Sequence, residues 1–175
     1  MRFTIEQTFQ ASPADTLRAL TTATYLREGM AQLPDIGVRS VQQQQVDSTL
    51  ENTLHLVFRG HLPSIVTTIV DPENLGWIEA TTIDVASSSA SFTITPTHYA
   101  KYFRCAGTWA ISPQPGRSGR SLRIIEGTMK VTSPMPFVNG QVERAIVSGL
   151  RERLDGEAPL LEAWLRSNPA DPDLR

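Results

Sequence analysis

The sequence predicts an α+β fold in which a curved antiparallel sheet of six to seven strands is covered by a long C-terminal helix. From Ile36 onwards, several segments alternate apolar and polar side chains with the period of a half-buried strand. The connections between these segments are of hairpin length, which indicates antiparallel pairing. The last segment, Leu122 to Thr132, runs through a proline turn into the only amphipathic stretch long enough to cover a sheet.

A first strand and two short helices are predicted ahead of the main run of strands. The alternation near the start of the chain places one set of side chains on a buried face: Phe3, Ile5, Gln7 and Phe9. Ser12 and Pro13 then supply an N-cap and a first helical residue for a short helix. A second helix is expected over about Ala23 to Gln32, and Pro34 ends it.

Six further strands are predicted before the terminal helix. The four consecutive glutamines, Gln42 to Gln45, favour a solvated strand over a low-complexity segment because the run is so short. Residues 64–70 are compatible with a short helix capped by Ser64 or with another strand. The predicted strands are Val38–Val46, Leu54–Phe58, Trp77–Val85, Ala90–Thr97, Phe103–Ile111 and Leu122–Thr132.

The predicted terminal helix spans about Phe137 to Leu165. It has an apolar stripe at three- and four-residue steps, formed by Val142, Ile146, Leu150 and Leu154. Gly156 and Pro159 are expected to kink or interrupt this helix. We therefore expect one domain over residues 1–167 and a flexible tail over residues 168–175.

Composition excludes several classes of protein. With 16 basic and 18 acidic residues among 175, the net charge of −2 argues against a non-specific nucleic-acid binder. Cys105 is the only cysteine, so no intrachain disulfide can form and a reducing compartment is favoured. Neither a secretory signal nor an apolar run of membrane-spanning length is evident. These observations predict a soluble cytoplasmic protein without integral membrane association.

With a first strand, two short helices, about six strands and a long helix, the order of elements resembles the helix-grip fold of the START and Bet v1-like (SRPBCC) superfamily, and Leu20–Tyr25 (LTTATY) resembles the end of that superfamily's first helix pair. Three further motifs are Gly107–Trp109 (GTW), Glu126–Val131 (EGTMKV) and Asn139–Glu143 (NGQVE). Together they resemble one family within the superfamily, DUF2505. Asn139 stands where the family pattern has the first glycine of a pair, and Pro134 and Pro136 give the turn an extra proline. The resemblance covers nearly the whole chain and implies an actinobacterial, cytoplasmic setting, but it brings no catalytic signature.

No motif in the chain predicts a metal, cofactor or nucleophile. His55, His61 and His98 are far apart and form no ligand pair on a helix, so ordinary histidines are favoured. Cys105 lies on an apolar strand face, where an inert thiol is favoured over a nucleophile. Glu126 lies on a polar face, and only a one-residue slip of register would make it the leading general base.

Charged residues of the terminal helix predict a solvated face laced with ion pairs and not a phosphate site. Bases and acids alternate along it: Arg144, Arg151 and Arg153 with Glu143, Glu152 and Glu157.

A ligand cavity is predicted between the sheet and the terminal helix. Three inward glycines, at positions 107, 127 and 149, allow strand curvature or leave room there, and filling the cavity with Gly127→Leu is expected to abolish ligand uptake. The alternative for any one lining residue is an ordinary core position. The predicted lining consists of Phe92, Phe103, Trp109, Met129, Ile146 and Leu150.

The leading functional prediction is a binding module for a hydrophobic or amphipathic small molecule such as a lipid or polyketide. One alternative is a cyclase or dehydratase that uses the same cavity, as some members of the superfamily do. Another is an interaction protein, in which Trp164 and Leu165 at an exposed apolar helix end form a homodimer or partner contact. Converging buried polar groups favour the enzyme, an apolar cavity favours the carrier, and a filled core favours the interaction protein.

Overall fold

The computed structural model describes residues 1–62, 64–67 and 71–169 of the chain. Within them, seven strands form one antiparallel sheet in the order β1-β7-β6-β5-β4-β3-β2, which confirms the predicted sheet. The first and last strands of the chain are therefore neighbours, with Phe9 opposite Ser121. The strands are β1 (Arg2–Phe9), β2 (Ile36–Val46), β3 (Thr49–Phe58), β4 (Gly76–Asp84), β5 (Ser89–Pro96), β6 (Phe103–Pro113) and β7 (Ser121–Val131).

The helical segment between β1 and β2 differs in type from the prediction. Helix α1 (Pro13–Leu20) is as expected, and the Ser12 hydroxyl accepts the backbone N–H of Asp15 at 3.1 Å. The second segment is a π-helical turn (Tyr25–Gly29) followed by a 3₁₀ turn (Met30–Gln32), where a regular helix was predicted. A Cβ atom at Gly29 would lie 2.5 Å from the Tyr25 ring, so glycine at this position leaves room for that buried ring.

The second strand and its surroundings follow the sequence pattern. The side chains of Gln42 to Gln45 are exposed along β2, which confirms the solvated strand. The register of β2 against β3 shifts between Val38 and Ser40, as at a β-bulge. For the ambiguous segment, the structure gives a short helix, α2 (Ser64–Thr67), and residues 68–70 lie outside the described part of the chain.

Helix α3 (Asn139–Ser167) covers the inner face of the sheet. The predicted interruption is wrong, because the helix continues through Gly156 and Pro159. Pro159 is exposed, so its ring does not disturb the buried side of the helix. Leu154 and Leu161, on either side of it, are both buried and hold the helix against the core. Of the predicted tail, residues 170–175 lie outside the described residues.

Candidate functional site

Two cavities lie between the sheet and α3. The larger has a volume of about 580 Å³ and the smaller about 70 Å³. Three residues line both of them: Ile94 from β5, and Leu150 and Arg153 from α3. The cavities are therefore adjacent, and Arg153 stands where they meet.

The large cavity is apolar inside and polar where it opens. Met129, Val142 and Ile36 line it and are almost fully buried, at 2%, 1% and 5% exposed. Its polar lining residues other than Arg153 include four that are exposed to solvent: Asp35, His61, Ser148 and Glu152. A volume of 300 to 1,000 Å³ with mainly apolar walls is typical of small-molecule sites.

The six predicted lining residues divide between the two cavities. Phe103 and Met129 from the sheet and Ile146 from α3 line the large cavity. Phe92 and Trp109 line the small one, and Leu150 lines both. The structure thus brings them together in two groups, and their contact with a ligand stays a prediction.

Two of the three inward glycines do not leave room for a ligand. A Cβ atom at Gly107 would lie 2.2 Å from the backbone oxygen of Glu126, and one at Gly127 would lie 2.5 Å from the Phe3 ring. These glycines allow close approach of neighbouring groups, so the expectation that Gly127→Leu fills the cavity is wrong. Gly149 differs, because it is an exposed residue at the opening of the large cavity, and a Cβ atom there would have no neighbour within 4 Å.

A buried charged cluster surrounds the small cavity. The Arg123 guanidinium contacts the Glu157 carboxylate at 2.6 Å, and both residues are at most 5% exposed. Arg153 pairs with Glu79 at 2.9 Å. All four charged residues line the small cavity. Gln7 is not a lining residue, but its amide Nε2 donates a hydrogen bond to the Glu157 carboxylate at 3.4 Å.

Aromatic rings and unpartnered polar atoms complete this cluster. The Arg123 guanidinium lies 5.7 Å from the centre of the Phe9 ring and 6.0 Å from that of Trp109. Within the described residues, the buried Nε atoms of Arg123 and Arg153 have no hydrogen-bond partner, and neither have the Tyr25 hydroxyl and the acceptor Oε1 of Gln7. A buried polar atom without a partner is costly, so this cluster lowers the stability of the core.

The cluster holds its ionisable groups in fixed protonation states. Burial opposes ionisation of Glu157, but Arg123 and Arg153 outweigh it and bring the pKa of this carboxyl below its ordinary value. Burial, and then the charge of Glu157, raise the pKa of the Tyr25 hydroxyl well above its ordinary value. At neutral pH, Glu157 is therefore an acceptor and Tyr25 keeps its proton.

The predicted solvated face of α3 is wrong for three of the six charged residues assigned to it. Arg144, Arg151 and Glu152 are exposed as expected, but Arg153 and Glu157 turn inward to the cluster. The Glu143 side chain is 14% exposed and accepts the backbone N–H of Val131 at 2.8 Å. A sequence signal existed: residues 150, 154, 157 and 161 continue one helical stripe. The strand partners carried a similar signal, since Arg123 precedes the buried Ile125 by two residues and Gln7 falls on the buried alternation of β1.

The remaining candidate residues stand apart from the cavities or lie at their edge. Among the described residues, no group of three or more histidine, cysteine, aspartate or glutamate side chains could hold a metal ion. His61 lies at the opening of the large cavity, whereas His55 and His98 are not among the residues that line either cavity. Cys105 is buried, and burial, with a contribution from Glu79, raises its pKa to about 12. Glu126 is exposed opposite Thr108, so the register slip that would turn it inward does not occur.

Trp164 does not form an exposed helix end. Its ring packs edge-on against Tyr25 with 5.6 Å between ring centres, and the Arg18 guanidinium lies 5.7 Å from it. Both Trp164 and Leu165 are half-buried against the core. The exposed contact proposed for an interaction protein therefore has no basis in these two residues.

Comparison with protein families decides where this chain belongs. The model of the family described as "Protein of unknown function (DUF2505)" matches residues 4–165, which is nearly the whole chain. The chain belongs to the DUF2505 family. No curated protein matches it, and none of the helices among the described residues is long and apolar enough to cross a membrane.

Solved structures show that this DUF2505 chain has the Bet v1-like helix-grip fold. The protein TTHA0849 from Thermus thermophilus is similar with a TM-score of 0.63 and 16% identity, covering 97% of this chain and 100% of that chain. The Zhui aromatase/cyclase from Streptomyces sp. R1128 gives 0.58 and 14%, covering 97% and 96%. Norcoclaurine synthase from Thalictrum flavum, in complex with dopamine and hydroxybenzaldehyde, gives 0.62 and 12%, covering 98% and 89%. At these identities the likeness shows the fold alone.

Proposed function

We propose that this protein binds a hydrophobic or amphipathic small molecule in the large cavity between the sheet and α3. The observation that carries the proposal is the cavity of about 580 Å³ whose deep walls are apolar and whose opening is polar. Burying an apolar ligand surface there gains about 25 cal/mol per Å². The polar opening suits a ligand that enters from water.

The similar structures support this proposal by analogy of fold. One of them is named as an aromatase/cyclase, and another holds dopamine and hydroxybenzaldehyde. Dopamine and hydroxybenzaldehyde are small organic compounds with an apolar ring and polar substituents. Fold analogy carries a class of ligand and not its identity.

Obstructing the opening of the large cavity from α3 tests the proposal. Gly149 is exposed at that opening, a Cβ atom there has no neighbour within 4 Å, and leucine is a better helix former than glycine, so Gly149→Leu should narrow the entrance without disturbing the fold. We expect wild-type protein to take up the fluorescent probe N-phenylnaphthylamine with enhanced emission. In Gly149→Leu the affinity should fall at least about tenfold, which corresponds to about 1.4 kcal/mol.

Gly140→Leu is the matched control, because Gly140 lies on the same helix and is exposed like Gly149, but lines neither cavity. It should bind the probe as the wild type does, and thermal unfolding should show that both variants fold. Absence of uptake by wild-type protein would contradict the proposed function. Equal uptake by all three proteins would place the probe outside this cavity.

The charged cluster favours an enzyme of the cyclase or dehydratase kind as a second candidate, because its polar groups converge on an internal cavity. General acid–base catalysis works best with a group that titrates near the working pH. The pKa of Glu157 is lowered and that of Tyr25 is raised, so both move away from neutrality. These two groups therefore suit hydrogen bonding to a ligand better than proton transfer.

A further inference from the structure

Strand β2 forms one edge of the sheet, and the outer side of this edge is open. It comes last in the strand order and has β3 as its strand neighbour. The side chains of Gln42 to Gln45 are all exposed. Within the described part of the chain, no backbone hydrogen bond outside the β2–β3 ladder involves residues 40–46. This edge is therefore available for pairing with another strand.

The register determines which backbone groups of β2 point outward. Residues of an antiparallel strand direct their N–H and C=O groups alternately to the two sides. The Phe58 N–H bonds to the Leu75 carbonyl on the β4 side, so even-numbered residues of β3 face β4 and odd-numbered residues face β2. Beyond the register shift in β2, its even-numbered residues lie opposite these odd-numbered ones. The N–H and C=O groups of Val41, Gln43 and Gln45 therefore point away from β3.

These outward groups are self-complementary. Two copies of β2 can lie antiparallel with Gln43 opposite the partner's Gln43. Val41 of each copy then lies opposite Gln45 of the other, because both residues are two positions from the centre. All three residues with outward groups are used, and each opposed pair exchanges two backbone hydrogen bonds.

The charges along the edge favour the same register. Residues 40–46 (SVQQQQV) contain neither the charges nor the prolines that commonly keep edge strands apart. Arg39 and Asp47 flank this segment, are exposed and belong to none of the ion pairs found among the described residues. With Gln43 at the centre, Arg39 of each copy lies opposite Asp47 of the other. The register thus brings opposite charges together at both ends.

We propose that β2 pairs with β2 of a second copy of this chain, so that the two sheets become continuous across a two-fold axis at Gln43. Val41 packs against the core, so the neighbouring Gln42 and Gln44 lie on the outer face of the sheet. Gln42 of each copy lies opposite Gln44 of the other on that face, where their amides bond each other. Residues 39–47 are not among those that line the two cavities, so this dimer is independent of the proposed function.

Sedimentation velocity up to about 200 µM protein tests the pairing, because a short edge contact makes a small and weak interface. We expect the wild type to form a reversible dimer as its concentration rises. Gln42→Lys/Gln44→Lys and Gln42→Glu/Gln44→Glu each place like charges opposite one another, so the dissociation constant of each should rise at least about tenfold. An equimolar mixture of the two variants should restore the dimer, since opposite charges then face each other.

Thr93→Lys/Thr95→Lys is the matched control. Both threonines are exposed on the central strand β5, so the variant adds the same charge away from the edge. It should dimerise as the wild type does, and thermal unfolding should show that all variants fold. Arg39→Ala removes the flanking ion pairs, so added salt should weaken its dimer less than that of the wild type.

Each outcome decides for or against this edge. A wild type that stays monomeric at the highest concentration refutes the pairing, and so does a dimer that persists unchanged in both charged variants. If both variants dissociate but their mixture stays monomeric, the register centred on Gln43 is wrong. Should a charged variant fail to fold, equal salt dependence of the wild type and Arg39→Ala would refute the register instead.

Discussion

At the scale of single residues, the ion pair of Arg123 and Glu157 is the most unusual feature of this core. Both side chains are less than one-tenth exposed, so each has lost nearly all of its hydration. Such a pair is costly unless the remaining polar atoms find partners. Gln7 donates a further hydrogen bond to Glu157, whereas the Nε of Arg123 has no partner among the described residues. The pair costs most when only one of its members is removed.

Removing one charge should destabilise the protein more than removing both. Glu157→Leu leaves Arg123 buried without a partner, and we expect a loss of about 3–5 kcal/mol in the free energy of unfolding, measured by urea titration. The double variant Arg123→Leu/Glu157→Leu should be more stable than the single one. A single variant within about 0.5 kcal/mol of the wild type would show that the pair is not buried in solution.

At the scale of elements, α3 combines buried anchors with a cavity wall. Leu154, Glu157 and Leu161 are buried in its C-terminal half, at 5%, 3% and 0% exposed. Val142 and Val147 are buried in its N-terminal half, at 1% and 9%. Ile146 and Leu150, nearer the start of the helix, are half-buried because they face the cavities. The helix thus combines a packed anchor with a cavity wall along one stripe.

Truncating a buried anchor of α3 should cost far more than truncating an exposed side chain just before the helix. We expect Leu161→Ala to lower the free energy of unfolding by about 2–5 kcal/mol, the usual cost of deleting a buried leucine side chain. Phe137→Ala, just before the helix, should cost less than about 0.5 kcal/mol because Phe137 is 79% exposed. Equal losses in denaturant titrations of the two variants would contradict this account of the helix.

The sequence predicted these elements better than it predicted the polar site. Alternation and helical spacing depend on neighbours along the chain, so they located the strands and α3, although β3 begins at Thr49, five residues before the predicted Leu54. The cluster depends on residues distant in sequence, such as Arg123 on β7 and Glu157 on α3. These residues come together only when α3 packs against the sheet. Glu157 follows the helical stripe, but charged residues are rarely buried, so a single sequence favours the solvated interpretation. The roles of Gly107 and Gly127 likewise depend on which neighbour fills the space.

At the scale of the whole molecule, stability should decline at both ends of the pH range. The folded-state pKa of Glu157 is lowered, so its contribution is present above the ordinary carboxyl pKa of about 4.3 and is lost as pH falls through the folded value. Tyr25 and Cys105 have raised pKa values. In the unfolded chain they lose protons above their ordinary pKa values, of about 10 and 8.5, so stability falls as pH rises there.

Thermal unfolding across the pH range checks this expectation. The midpoint should be highest between about pH 5 and 8. The double variant Arg123→Leu/Glu157→Leu should show a shallower decline on the acid side, since it lacks the carboxyl whose pKa is lowered. An acid decline as steep as that of the wild type would mean that other carboxylates dominate it.

The pairing of β1 with β7 has a consequence for how the chain folds. The two strands come from opposite ends of the sequence, so β1 has no strand partner until β7 has formed. The other six strands pair in the order in which they follow one another along the chain. Closing the longest loop costs the most chain entropy, and contacts of high sequence separation slow folding. During synthesis, β1 therefore leaves the ribosome first and is the last strand to find its neighbour.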